Sequence, residues 1–159
     1  MKRTAALIAA IGLAGCASSG GDGAGSKSVV AAPTGDGDVI IGALADSALP
    51  KGECGMILWT LESDQPAPIL RLIAGKGAEI VLNNKPVKLT LADSAGAIGF
   101  GVAEENTLIA DGVTAKARVR FGLGFEGGSY LEQGLLTIES PSGWRTVVPA
   151  AGVAGCRRS

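Results

Sequence analysis

Lys116-Ala117-Arg118-Val119-Arg120-Phe121-Gly122-Leu123-Gly124-Phe125 is the stretch on which the fold turns. Ala117, Val119, Phe121, Leu123 and Phe125 fall on one side of a two-residue period. Lys116, Arg118, Arg120, Gly122 and Gly124 fall on the other. Successive side chains leave a strand on opposite faces, so this pattern predicts a strand with one dry face and one wet face. A helix would scatter the same apolar residues around its circumference. Half-buried strands belong to antiparallel sheets, whose second face can meet water.

The flanking sequence extends that reading. Glu126-Gly127-Gly128-Ser129 predicts a turn, and Leu135 to Glu139 and Trp144 to Val148 predict a last hairpin around Ser140-Pro141-Ser142-Gly143. Upstream, Glu79 to Leu82 and Pro86 to Leu91 flank Asn83-Asn84-Lys85. Asparagine tolerates positive φ, which a tight hairpin turn demands. Phe100 to Ala103 and Thr107 to Ala110 read as short strands around a Glu104-Glu105-Asn106 turn, after a Gly-rich bend from Asp93 to Gly101. Cys54 to Leu61 is apolar on both alternating faces, so it predicts a strand buried on both sides with Trp59 in the core. Ile69 to Ala74, with Arg71 tipped outward, and Val39 to Leu44 complete the strand candidates. Asp46 to Glu53 and the proline-bearing Asp64 to Pro68 read as loops. The expected fold is all-β: a small antiparallel β-barrel or sandwich of eight to ten short strands.

Composition narrows the chemistry. The 159 residues include 25 glycines, about twice the usual share, and no histidine. Without histidine there is no imidazole general base, no Ser-His or Cys-His nucleophile pair and no His-containing zinc site. The adjacent acids Glu104 and Glu105 point apart on a strand or turn, whereas a glycosidase needs two carboxylates facing across a cleft. Gly35-Asp36-Gly37-Asp38 lacks the further ligands and closing Glu of a calcium loop. Without residues 1–15 the chain has 12 basic and 15 acidic residues, a formal charge near −3, too weak and mixed to imply nucleic acid or an acidic membrane as partner. The expectation is a non-enzymatic protein with no cofactor and no metal.

The start of the chain carries an address. Met1-Lys2-Arg3 is basic, and an apolar run from Ala5 ends in Leu13-Ala14-Gly15-Cys16. The run is too short to span a bilayer and, with small residues at its exit, has the form of a secretory signal. Those last four residues resemble the lipobox of bacterial lipoproteins. The resemblance implies cleavage before Cys16 and three acyl chains, palmitate among them, on its sulfur and new amino group. Each buried methylene contributes about 0.8 kcal/mol, and stable anchoring takes more than one chain. The resemblance also implies a sorting rule, in which Asp after the Cys retains a lipoprotein in the inner membrane; residue 17 here is Ala, so the resemblance implies the outer membrane, with the protein facing the periplasm.

Three segments follow: residues 1–15 as signal peptide, 16–37 as lipidated tether and 38–159 as a single β-domain. Gly, Ser, Ala and Asp dominate 16–37. Such a segment buries too little apolar surface to offset its ordering entropy. About 20 residues of this kind have an end-to-end distance on the order of 25 Å.

Once Cys16 is acylated, the two remaining cysteines are Cys54 and Cys156. An even count in an oxidising compartment predicts one disulfide between them. The alternative is a reactive thiol, which needs an activating cation, and Arg157 and Arg158 follow Cys156. Lys116, Arg118 and Arg120 form a basic stripe that either meets a partner or is simply the wet face of its strand. Tyr130, Trp144 and Arg145 are the residue types of contact centres. These six are the candidate partner contacts.

The run from Cys54 onward is similar to the c-type lysozyme inhibitors of bacterial envelopes. In that family an antiparallel barrel carries a disulfide from its first strand to its C-terminus. A Ser-Gly-x-x-Tyr stretch and a strand precede a turn whose Lys enters the lysozyme active site. Here Gly128-Ser129-Tyr130 precedes Leu135 to Glu139 and the turn Ser140-Pro141-Ser142-Gly143, with Gly and Ser reversed and no Lys in the turn. The leading expectation is a membrane-anchored lipoprotein with a binding or structural role toward an envelope protein. The alternatives are inhibition of a lysozyme-type cell-wall hydrolase and an enzyme without a recognisable motif.

Overall fold

The computed structural model describes residues 39–61, 65–110 and 112–159. The signal at 1–15, the tether at 16–37 with Cys16, and residues Asp38, Asp64 and Asp111 lie outside the described residues. Nine strands account for the described structure, with no helix among them. They are β1 (Ile41–Gly42), β2 (Cys54–Thr60), β3 (Pro68–Ile73), β4 (Gly77–Leu82), β5 (Lys85–Gly99), β6 (Val102–Ala110), β7 (Val113–Phe125), β8 (Gly128–Glu139) and β9 (Arg145–Cys156).

From β2 to β9 each strand pairs antiparallel with the next, and β9 returns to pair with β2. The result is an eight-stranded up-and-down barrel, so of the two architectures the sequence allowed, the barrel is the one formed. Closure leaves these strands with no free edge for another chain to pair with. β1 is the extra strand: it pairs with β4 at Leu82 and Val81, just past the four residues of β4 that pair with β3.

Eight strands enclose an interior just wide enough for side chains to fill. Met56, Leu58, Leu70, Ile80, Leu108, Leu136 and Ile138 are all fully buried in one cluster. On β7 the period holds as expected from Lys116 to Arg120: Ala117 and Val119 are buried, and the three cations are exposed. Apolar side chains thus point in and charged ones point out, the reverse of a membrane-spanning barrel. Asn83 and Asn84 form the predicted tight turn with φ of 50° and 63°.

β2 and β9 meet along seven residue pairs, and the pair nearest one end is Cys54 with Cys156. A disulfide joins these two. That end of the barrel, called here the disulfide end, also holds the β3–β4, β5–β6 and β7–β8 connections. The Asn83-Asn84 turn and the β2–β3, β6–β7 and β8–β9 connections lie at the opposite end.

Several local expectations are corrected. Glu104-Glu105-Asn106 is no turn: it lies inside the continuous strand β6. Asn106 is buried, its side-chain Nδ2 donating to the Ala103 carbonyl at 2.7 Å. A polar triplet reads as a turn in sequence, but here a side-chain amide satisfies backbone groups inside the barrel. Beyond Phe121 the β7 alternation fails. The register shifts between Phe121 and Gly124, and Leu123 is 78% exposed. A bulge inserts a residue and so reverses the faces that follow it.

Trp59 is half-buried on the outside rather than in the core. Val39 to Leu44 yields only the two residues of β1, and then the chain runs as a strap from one barrel end to the other. Leu44 and Leu49 on this strap are buried. Arg71 holds it, donating to the Ala48 carbonyl at 2.9 Å and pairing with Asp46 and Glu79. The strap explains why β2 is buried on both faces, as its sequence implied: Leu49 packs beside Gly55, and Ile57 is covered.

Candidate functional site

The register across four neighbouring strands assembles a groove on the outer face. Glu105 on β6 stands opposite Arg118 on β7, which stands opposite Leu135 on β8. One step along, Thr107, Lys116, Thr137 and Val147 form a second row across β6 to β9, and Glu139 opposite Arg145 closes the end. The period of two puts all of these side chains on one face. They line a groove of about 340 Å³.

Its electrostatics are mixed. Arg118 pairs with Glu105 at 3.1 Å. Glu139 takes Arg145 at 2.7 Å and Lys116 at 3.9 Å, so one carboxylate is shared by two cations. Pairs this exposed contribute about 0–1 kcal/mol each, which leaves their members free to re-pair with an incoming surface. Leu135 and Val147, 41% and 51% exposed, provide apolar contact area between the charged ends. The arrangement suits recognition of a surface bearing both signs of charge.

Of the six candidate contacts, the structure brings Lys116, Arg118 and Arg145 together in this groove. The other three fall elsewhere. Arg120 is exposed on the same face of β7 in register with Glu132, and no ion pair to it occurs among the described residues. Trp144 is half-exposed beside the Ser140–Gly143 turn, its carbonyl accepting from the Ser140 amide at 2.9 Å. Tyr130 packs against Phe125 with the rings tilted by 53° and their centroids 5.0 Å apart. Phe125 lines a second outer groove of about 260 Å³ with Trp59, Ile57 and Val153.

Sequence reasoning missed Glu104 as a positioning residue. Its carboxylate accepts the Phe121 amide at 3.2 Å and the Ala97 amide at 3.4 Å. Both amides sit at register shifts, in β7 and β5. An adjacent pair of acids carries no sign of such a role. Among the described residues no group of three or more His, Cys, Asp or Glu is arranged to hold a metal ion. Comparison of the chain with protein-family models, with curated proteins and with solved structures finds no match.

Proposed function

We propose that this chain is a lipid-anchored envelope protein whose barrel binds a protein partner through its outer face and performs no catalysis. Cys16 carries the acyl chains, the tether spans residues 16–37, and the domain faces the periplasm from the outer membrane. The observation that carries the binding role is the β6–β9 groove, where three of the six candidate contacts converge with two glutamates, two threonines and two exposed apolar side chains. The barrel interior is filled by its own side chains, so the outer face is what is offered to a partner.

The test is site-specific photo-crosslinking in envelope membranes. A photoreactive residue at Thr137 should capture one discrete protein, and the same group at Leu61, on the opposite barrel end and outside the groove, should not. The charge reversals Lys116→Glu and Arg118→Glu together should abolish the capture. Equal capture from both positions would overturn the groove as the contact.

One observation favours the inhibitor as a second reading. The closed barrel with its first strand joined to its C-terminus is the architecture implied by the resemblance to the c-type lysozyme inhibitors. The turn that carries the family's Lys is here held by a hydroxyl–hydroxyl bond of 2.8 Å between Ser140 and Ser142. A lysozyme assay with residues 38–159 decides this reading: unaltered activity at saturating protein removes it.

A further inference from the structure

Two connections at the disulfide end are nearly free of charge, while the rest of that end carries Lys51, Glu53, Lys76, Arg157 and Arg158. At the disulfide end, residues 95–103 at the β5–β6 tip hold no charge, and residues 121–131 at the β7–β8 tip hold only Glu126. Two register shifts lie in these tips, one between Ala95 and Ile98 and one between Phe121 and Gly124. Each accompanies an aliphatic side chain thrust into solvent: Ile98 is 74% exposed and Leu123 is 78% exposed. Bulges re-aim side chains, and two of them at one end exposing two aliphatics make a shared surface.

The tips are joined to one another. A Cβ on Gly99 would lie 3.0 Å from the Phe121 ring, so the β5–β6 tip rests against that ring because position 99 has no side chain. The Glu104 carboxylate, bonded to the amides of both Ala97 and Phe121, ties the two bulges to each other. Phe125, 43% exposed, continues the apolar surface toward Tyr130.

We infer that this end is a membrane-docking surface that lays Ile98 and Leu123 into the boundary between headgroups and acyl chains of a phospholipid bilayer. A bilayer is the occupant for three reasons. The protruding tips bring almost no charge to be desolvated, as shallow insertion requires. Lys51 is exposed at the same end without an ion pair among the described residues, and Lys76 and Arg158 flank it, paired with Glu53 and Glu126. These cations are placed to meet lipid phosphates. The third reason rests on the anchored reading above. The 22 residues of the tether reach roughly 75 Å at most, while the 13 residues of β7 rise only about 43 Å. An anchor entering at Val39, at the opposite end, therefore lets the disulfide end turn to the membrane.

Flotation with vesicles of phosphatidylethanolamine and phosphatidylglycerol tests the surface. The protein is residues 16–159 carrying Cys16→Ser, which keeps every described residue and removes acylation, so failure here leaves the anchor reading untouched. That protein should float with the vesicles. Ile98→Asp and Leu123→Asp should each weaken binding by about tenfold or more. Both side chains are largely in solvent, so both variants should melt as the parent does. Leu61→Asp, 58% exposed in the β2–β3 connection at the opposite end, should float as the parent does. Failure of the parent to float, or flotation indifferent to Ile98→Asp and Leu123→Asp, overturns the proposal. So does a parent dimer that either substitution converts to monomer, which would make this end an interface between two copies.

Discussion

Arg71 shows how far a single residue's role departs from its local pattern. As an outward side chain on β3 it reads as solvated, yet its side chain is only 18% exposed and holds the strap that covers β2. Hydrogen bonds to charged groups contribute about 1.5–3 kcal/mol when partly sheltered. Arg71→Ala should therefore lower stability by about 1–3 kcal/mol in urea unfolding. It should also speed amide exchange at Leu44, whose N–H donates to the Pro68 carbonyl. Gly152 works by absence. A Cβ there would lie 2.1 Å from the Ile57 carbonyl oxygen across the β2–β9 seam. Gly152→Ala must push those strands apart, and the expected loss is about 1–3 kcal/mol by the same measurement. An unchanged midpoint in either variant would contradict the packing described.

At the scale of elements, legibility follows the period. β7 from Lys116 to Arg120 and the Asn83-Asn84 hairpin are visible in sequence because their pattern is local. Two to ten residues suffice to state it. Leu123, Ile98 and the Glu104–Asn106 segment are not, because a bulge or a buried amide depends on which strand lies alongside. The β2–β9 closure is the element most dependent on a covalent bond. The disulfide closes a loop of 102 residues in sequence. On the chain-entropy account that contributes roughly 4–5 kcal/mol by constraining the unfolded chain. Reduction should lower the melting temperature by more than about 10 °C in calorimetry. An unchanged melt would mean that the seam's hydrogen bonds alone hold the barrel shut.

For the molecule as a whole, the proposals divide along the chain. Anchoring rests on residues 1–16, and partner binding rests on the outer face of β6 to β9. Cys16→Ala should abolish acyl labelling while leaving the melting temperature of the barrel unchanged, and combined with Ile98→Asp and Leu123→Asp it should release the protein from washed membranes. Retention of that combined variant on membranes would sink the anchor. The groove itself was half legible. Lys116 and Arg118 share a strand, so their common face follows from the period alone. Arg145 joins them only because β8 lies between β7 and β9, and Glu105 and Glu139 neutralise them only in the assembled sheet.

The sequence by itself determined the class of the fold and its staple. A two-residue apolar period, asparagines where φ must be positive and two cysteines at the ends of the barrel region are all local or countable signals. They need no neighbour to be read. Only the tertiary structure decided that the sheet closes into a barrel, that a strap covers β2, and that bulges expose Ile98 and Leu123 at the same end. Those outcomes depend on register between strands far apart in sequence. A single bulge reverses every face beyond it, and no local pattern records where the partner strand will force one.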